Sequence, residues 1–152
     1  MKSRSTLIVL NIFSVIIQTS FLLELFGTKL NPNLVATVVF SMLLVGDTAS
    51  AYLSAFVGGL LLDIVSGGVI GLGAFLFTLF VWLYSHLHSF YLRNMFVSLF
   101  FATLYFYIFR LVTAQTLVFD GWIFAGSFLT AVMGQLLSLV FRSKSAYEKI
   151  TY

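Results

Sequence analysis

Six apolar runs, joined by short polar links, make up most of this 152-residue chain. They cover residues 7–26, 34–45, 50–65, 69–87, 95–113 and 122–141. At 1.5 Å of rise per residue, the longest runs match the ~30 Å hydrocarbon core of a bilayer. The composition agrees, because 61% of the residues are hydrophobic and only 9% are charged, far from a soluble domain. We therefore predict a single all-α integral membrane domain, residues 1–152, with six transmembrane helices.

The second and third runs allow more than one interpretation. Run 34–45 would form only about 18 Å of helix before Gly46 and Asp47 interrupt it. Together with run 50–65 it predicts two short spans, a re-entrant hairpin, or one continuous helix over residues 34–62. At its start, Pro32 suits a first helical turn because proline has no N–H, and Asn31 is then the predicted N-cap.

The distribution of basic residues predicts the orientation. With six crossings, one side of the membrane holds Lys2, Arg4, Arg93, Arg142, Lys144 and Lys149. The other side holds Lys29 and the acidic Asp120. The positive-inside rule therefore places both termini in the cytoplasm and disfavours the continuous helix, which would leave the C-terminus outside. The first run is predicted to be an uncleaved anchor, since it is long and no small-x-small cleavage site follows it.

Small side chains recur every four residues in two of the runs. One row includes an acidic residue and consists of Ala51, Ala55, Gly59, Asp63 and Gly67, with Ser50, Ser54 and Gly58 beside it. The other row consists of Gly126, Thr130, Gly134 and Ser138. Such rows let helix backbones approach closely in lipid. The first row is predicted to pack internally, and the second is predicted to be a docking face for a partner helix.

Asp63 is expected to face protein or water, because a carboxylate in hydrocarbon costs roughly 2.5–3.5 kcal/mol on insertion scales. Glu24, Asp63 and Arg110 all fall toward the outer ends of their runs, and they are predicted to share one intramembrane polar layer. That layer would be either a small site or proton relay, or a structural ion-pair cluster. Alternatively, Asp63 accepts N–H groups from the Ser66-Gly67-Gly68 turn and from the next helix.

No pattern in the chain predicts catalysis. The glycines do not form a phosphate loop, since no Lys-Ser or Lys-Thr pair follows them. His86 and His88 are two residues apart, so a helix would direct them to different sides rather than to one metal. The absence of cysteine excludes thiolate ligands and disulfides. We predict a non-enzymatic protein without metal or cofactor.

A group of motifs resembles the MreD family of rod shape-determining membrane proteins. They are Pro32-Asn33 before the second run, Gly58-Gly59, Asp63, Ser66-Gly67 and Gly71 around the third, and Leu92-Arg93-Asn94 after the fourth. The resemblance implies a scaffold in the bacterial cytoplasmic membrane that acts in cell shape and lateral peptidoglycan synthesis. It also implies an MreC-like single-span partner, the RodA glycosyltransferase with its transpeptidase, and MreB filaments as indirect partners.

The same resemblance supplies a rival function. MreD proteins are similar in fold to the substrate-binding membrane subunits of energy-coupling-factor vitamin transporters, which bind small molecules. Such a function would need a polar pocket, for which the layer of Glu24, Asp63 and Arg110 is the candidate. The short external links argue against a lid over that pocket. A channel would need polar residues along one helix face, and the sequence has only scattered ones.

Overall fold

The computed structural model describes residues 4–67, 69–88, 95–113 and 121–150. Within these ranges the chain is helical and contains no strand. The helices are α1 (Arg4–Ile17), α2 (Leu23–Leu30), α3 (Leu34–Val45), α4 (Thr48–Ser66), α5 (Leu72–His88), α6 (Met95–Thr113) and α7 (Gly121–Ile150). The sequence therefore predicted the helical class correctly. The motif Leu92-Arg93-Asn94 and Asp120, which was predicted to lie on the outer side of the membrane, are outside the described ranges.

The first apolar run is not one regular helix. A π-helical turn, Gln18–Leu22, joins α1 to α2, and Gly27 interrupts α2 with φ 64° and ψ 179°. This conformation is accessible to glycine because it lacks a Cβ. The side chain of Asn31 then donates a hydrogen bond to the carbonyl oxygen of Gln18, at 3.1 Å. The chain has therefore turned back, so that the start of α3 lies beside the π-helical turn.

α3 and α4 form a tight helical hairpin. Gly46 ends α3 with φ 87°, and Asp47 caps α4 by accepting a hydrogen bond from the Ser50 N–H. The structure excludes the continuous helix over residues 34–62, because a left-handed glycine and a new N-cap separate the two helices. At the other end of α3 the N-cap is Asn33, whose Oδ1 accepts from Ala36 N at 3.0 Å. The prediction of Asn31 as the cap was wrong.

α3 is the central helix of the molecule. Every residue from Val35 to Leu43 is buried, and the helix packs against α1, α4, α5 and α7. A helix that is apolar on all sides is stable in this position because it has no face that must meet water. Its Ser41 and Thr37 hydroxyls donate hydrogen bonds to carbonyl oxygens one turn earlier, those of Val38 and Asn33.

Two kinds of helix interface hold the other helices around α3. Glycine and other small residues bring α4 against α5 and α3 against α7. Between α5 and α6, by contrast, rings fill the space: Phe77 stacks on Phe109 with centroids 4.5 Å apart, and Phe80 lies 5.0 Å from Phe106. Phe40 of α3 makes edge contacts with this aromatic cluster. The interface between α5 and α6 therefore depends on ring packing rather than on close backbone approach.

Among the described residues, four stretches are long and apolar enough to cross a membrane: Ser5–Gly27, Thr48–Ser66, Met95–Thr113 and Gly121–Phe141. Leu34–Val45 and Leu72–Leu87 are shorter apolar helices. The fourth predicted span, residues 69–87, begins later than expected, because Val69 and Ile70 belong to a turn that ends at Gly71. The last helix continues beyond residue 141 to Ile150. These lengths agree with a multi-pass membrane protein.

Candidate functional site: two buried polar nodes

The first polar node lies where α4 ends and α5 begins. Asp63, only 6% exposed, lies in the last turn of α4, and Gly67 ends that helix in the left-handed region at φ 68°. The carboxylate oxygens of Asp63 accept hydrogen bonds from Gly71 N at 2.9 Å and Gly73 N at 2.9 Å, with Ala74 N at 3.4 Å. The carboxylate therefore occupies the N-terminus of α5, where free N–H groups and the helix dipole both stabilise a negative charge.

Glycines allow the backbones at this node to come together. A methyl group on Gly73 would collide with the Asp63 carboxylate, and one on Gly59 would lie 2.5 Å from the Cα of Ala74. Gly71 has φ 95°, a conformation that disfavours a side chain. Ser66 donates a hydrogen bond to the Asp63 carbonyl oxygen at 3.3 Å. Of the hydrogen bonds predicted for the Asp63 carboxylate, those from the start of the next helix are confirmed. In the described residues its donors are Gly71, Gly73 and Ala74 rather than Ser66 or Gly67.

The second polar node surrounds the N-terminus of α3. Asn33 N donates to the Thr130 hydroxyl of α7 at 3.0 Å, and Leu34 N donates to Oε1 of Gln18 at 2.8 Å. Thr130 in turn donates to the carbonyl oxygen of Gly126 at 2.8 Å. Pro32, just before the cap, has no N–H that needs a partner. Side chains from three parts of the chain therefore satisfy the start of one helix.

A substitution at Asn33 tests this second node. Asn33→Ala removes the acceptor for Ala36 N, and we expect the free energy of unfolding to fall by about 0.5–2 kcal/mol, the usual cost of losing such a cap. Asn33→Asp keeps an acceptor oxygen, so its free energy of unfolding should fall much less. Thermal unfolding of both purified variants in detergent measures the difference. Equal melting temperatures for Asn33→Ala and the wild type would show that the cap does not stabilise α3.

Several interhelical hydrogen bonds involve residues that the sequence analysis did not select. Asn11 of α1 donates to Ser54 of α4 at 3.1 Å, the hydroxyls of Tyr84 and Ser98 lie 2.8 Å apart between α5 and α6, and Gln135 of α7 donates to the Met95 carbonyl oxygen at 3.1 Å. Asn11 and Gln18 are amide residues inside an apolar run, which is the signal that would have marked them. Each of these bonds joins two helices.

The structure does not bring Glu24, Asp63 and Arg110 into one layer. α2 packs on α7, α4 packs on α1, α3 and α5, and α6 packs on α5 and α7, so the three helices that carry these residues are not packed together. Glu24 is exposed and Arg110 is half-buried, whereas the Asp63 carboxylate binds backbone N–H groups. Within the described ranges, none of the three forms an ion pair with another.

The row of Gly126, Thr130, Gly134 and Ser138 lies inside the molecule rather than on a free surface. All four residues are buried, and a methyl group on Gly134 would lie 2.8 Å from a ring carbon of Phe40 in α3. The prediction that this row is a docking face is therefore corrected, because α3 already occupies it. The row of Ala55, Gly59 and Asp63 packs internally as expected, against α5.

The chemistry of both nodes is structural in character. Their side chains accept or donate hydrogen bonds to backbone groups, as the distances above show, and among the residues that the structure describes no three His, Asp or Glu side chains form a possible metal site. Pro32, Asn33, Gly58, Gly59, Asp63, Ser66, Gly67 and Gly71, the residues on which the resemblance rested, all lie at the two nodes or at contacts between helices.

Comparison with known proteins gives one match. The profile of the family described as rod shape-determining protein MreD matches residues 3–142, which is nearly the whole chain. No curated protein and no solved structure matches the chain at the threshold of significance. The matched range includes every residue named at the two polar nodes. The chain therefore belongs to the MreD family of rod shape-determining proteins.

Proposed function

We propose that this protein is a non-enzymatic membrane scaffold of the bacterial elongation machinery. The family match over residues 3–142 carries the proposal, and the use of the buried polar side chains to join helices supports it. The scaffold docks the single span of an MreC-like partner and links it to RodA, its transpeptidase and MreB filaments in the cytoplasmic membrane. Its docking face is an exposed apolar helix surface, because the small-residue rows are filled internally.

The proposal includes the topology. Six helices cross the membrane and both termini are cytoplasmic, as the bias of basic residues suggests. The short helix α3 crosses surrounded by other helices, since it is buried along most of its length. The other short helix, α5, exposes apolar side chains such as Phe75 and Trp82. The similarity to vitamin-transporter subunits in fold stays a prediction.

Cysteine labelling tests this topology, because the chain has no native cysteine. A cysteine at Ser145 should stay unreactive toward a membrane-impermeant maleimide in intact cells and should react after permeabilisation. A cysteine at Asp120 should react in intact cells. Reaction of the Ser145→Cys variant in intact cells would contradict the cytoplasmic placement of the C-terminus.

Complementation separates the scaffold from a small-molecule binder. Glu24→Gln removes an exposed carboxylate that a ligand site or proton relay built on Glu24 would need. In a rod-shaped bacterium that depends on this chain, we expect the variant to support rod growth and to copurify with a single-span partner, as the wild type does. Loss of rod shape with normal expression would favour the chemical function. Copurification of an ATPase or a bound vitamin with the wild type would replace the scaffold by a transporter.

A further inference from the structure

The first membrane-crossing stretch, Ser5–Gly27, has one side that no other described helix covers. Over its most apolar 18 residues only 28% are buried, the lowest share among the four stretches. Its buried side packs on α3, α4 and α7. The opposite side exposes Val9, Phe13 and Ile16, which are four and three residues apart and therefore share one helix face.

Ser20 continues this surface one turn after Ile16, and it too is exposed. It lies about 10 Å along the helix axis from Gly27, the end of the stretch. In the described part of the chain, it is the exposed serine, threonine or charged residue that lies deepest within a membrane-crossing stretch. The others, such as Glu24 and Ser66, lie within about one turn of an end. Val9, Phe13, Ile16 and Ser20 together form the Ser20 face.

The hydroxyl of Ser20 is available for a hydrogen bond to another chain. In an α-helix, a serine hydroxyl commonly donates to the carbonyl oxygen one turn earlier, as Ser127 does to Ile123 at 2.9 Å. Ser20 belongs instead to the π-helical turn, and Thr19 already donates to the Ile16 carbonyl oxygen, at 3.4 Å. Among the residues that the structure describes, the Ser20 hydroxyl has no hydrogen-bond partner.

A second helix can satisfy this hydroxyl, whereas hydrocarbon cannot. Acyl chains contain neither donors nor acceptors, and serine side chains within membranes form hydrogen bonds between helices. The small side chain of Ser20 also lets another backbone approach closely. The exposed face of α6 differs, because it consists of the apolar residues Phe96, Phe100, Leu104 and Ile108, which match lipid. The Ser20 face therefore matches a helix better than it matches lipid.

The charge beside the Ser20 face favours a different chain over a second copy of this one. In a parallel two-fold pair, each Ser20 would meet its counterpart. The exposed carboxylates of Glu24, one turn further along the helix, would then also face each other. Like charges repel at such a distance. A single-span helix without an acidic residue at that level avoids this repulsion.

We infer that the Ser20 face binds the transmembrane helix of the single-span partner. That helix presents a serine, threonine, asparagine or glutamine side chain to the Ser20 hydroxyl, and it packs on Phe13 and Ile16 through the van der Waals contacts that drive association in lipid. The inference rests on the proposed scaffold function, and it adds the face that docks the partner and the chemistry that the partner must carry.

Two variants at exposed positions test the inference by copurification. Ser20→Leu removes the hydroxyl and adds bulk, yet it breaks no hydrogen bond within the described chain, so its melting temperature in detergent should equal that of the wild type. The retained fraction of the partner should fall at least about threefold, the effect of losing one interhelical hydrogen bond. Phe100→Leu, on the exposed face of α6, is the control and should retain the partner. Full retention by Ser20→Leu would overturn the assignment.

Photocrosslinking in cells covers the case in which Ser20→Leu lowers the melting temperature. A benzophenone amino acid at Phe13 should crosslink to a single-span protein, whereas the same group at Phe100 should crosslink to lipid. A partner adduct at Phe100 and none at Phe13 would refute the Ser20 face and leave the scaffold function intact. An adduct at Phe13 with lipid alone, or with a second copy of the chain, would also refute it. Copurification of no single-span protein with the wild type would overturn the scaffold function itself, and this inference with it.

Discussion

Replacing Asp63 with leucine should lower the folded yield and the thermal stability of the protein more than any other single substitution described above. The carboxylate accepts N–H groups from Gly71 and Gly73 at 2.9 Å in a nearly water-free position. Each donor left without a partner costs ~1–3 kcal/mol, and the backbone at membrane depth has no water as a substitute. We therefore expect Asp63→Leu to lose several kcal/mol in detergent unfolding, and to lose the rod-shape function in cells.

Asp63→Asn is the matched control for that result. Oδ2 accepts from both Gly71 N and Gly73 N, and Oδ1 also accepts from Gly73 N at 3.0 Å. An amide oxygen in the place of Oδ2 therefore retains a bond from each donor while the charge is lost. Because the side-chain amide nitrogen then faces a backbone donor, we expect a moderate loss of stability. If Asp63→Leu unfolds at the wild-type temperature, the node does not hold α4 to α5. If Asp63→Asn is as damaging as leucine, the charge matters more than the hydrogen bonds.

Gly59→Ala is the second substitution with a large expected effect. In a helix interior alanine normally stabilises by about 1 kcal/mol relative to glycine. Here the added methyl group would lie 2.5 Å from the Cα and 2.6 Å from the N of Ala74, and both are backbone atoms of α5. The two helices must separate, so we expect a net loss of about 1–3 kcal/mol, measured as a lower melting temperature in detergent.

The neighbouring glycine provides the comparison. A methyl group on Gly58 would meet the side-chain ends of Asn11 and Val35, each at 2.6 Å. Side-chain ends move at lower cost than a helix backbone, so Gly58→Ala should be milder than Gly59→Ala. A larger loss for Gly58→Ala would mean that the hydrogen bond between Asn11 and Ser54, which lies beside it, is more important than the contact between α4 and α5.

Local patterns in the sequence predicted the helices and the Asp63 node for clear physical reasons. A carboxylate within an apolar run needs nearby donors, and the glycine turn that follows supplies them within eleven residues. The sequence could not distinguish the alternatives for α3 and α4, because a 12-residue apolar helix is too short to be identified as a span from length alone. The left-handed Gly46 and the cap by Asp47 exclude the continuous helix.

Other features depend on which helices become neighbours, and no local pattern contains that information. Gln18 and Thr130 act on α3 from distant parts of the chain, and the row of Gly126 and Gly134 meets α3 rather than a partner. A small-residue row predicts close packing without identifying the helix that packs there. The same limitation explains why Glu24 and Arg110 were predicted to be near Asp63.

The cap of α3 by Thr130 has a consequence for how the protein is made. The two bonded residues are 97 positions apart, and α7, which carries Thr130, leaves the ribosome after α1 to α6. During synthesis, the N–H of Asn33 therefore lacks its acceptor, the Thr130 hydroxyl, until α7 has been inserted. A chain that stops before α7 leaves the N–H of Asn33 without its Thr130 acceptor. Insertion of α7 thus completes both the cap and the packing of the central helix α3.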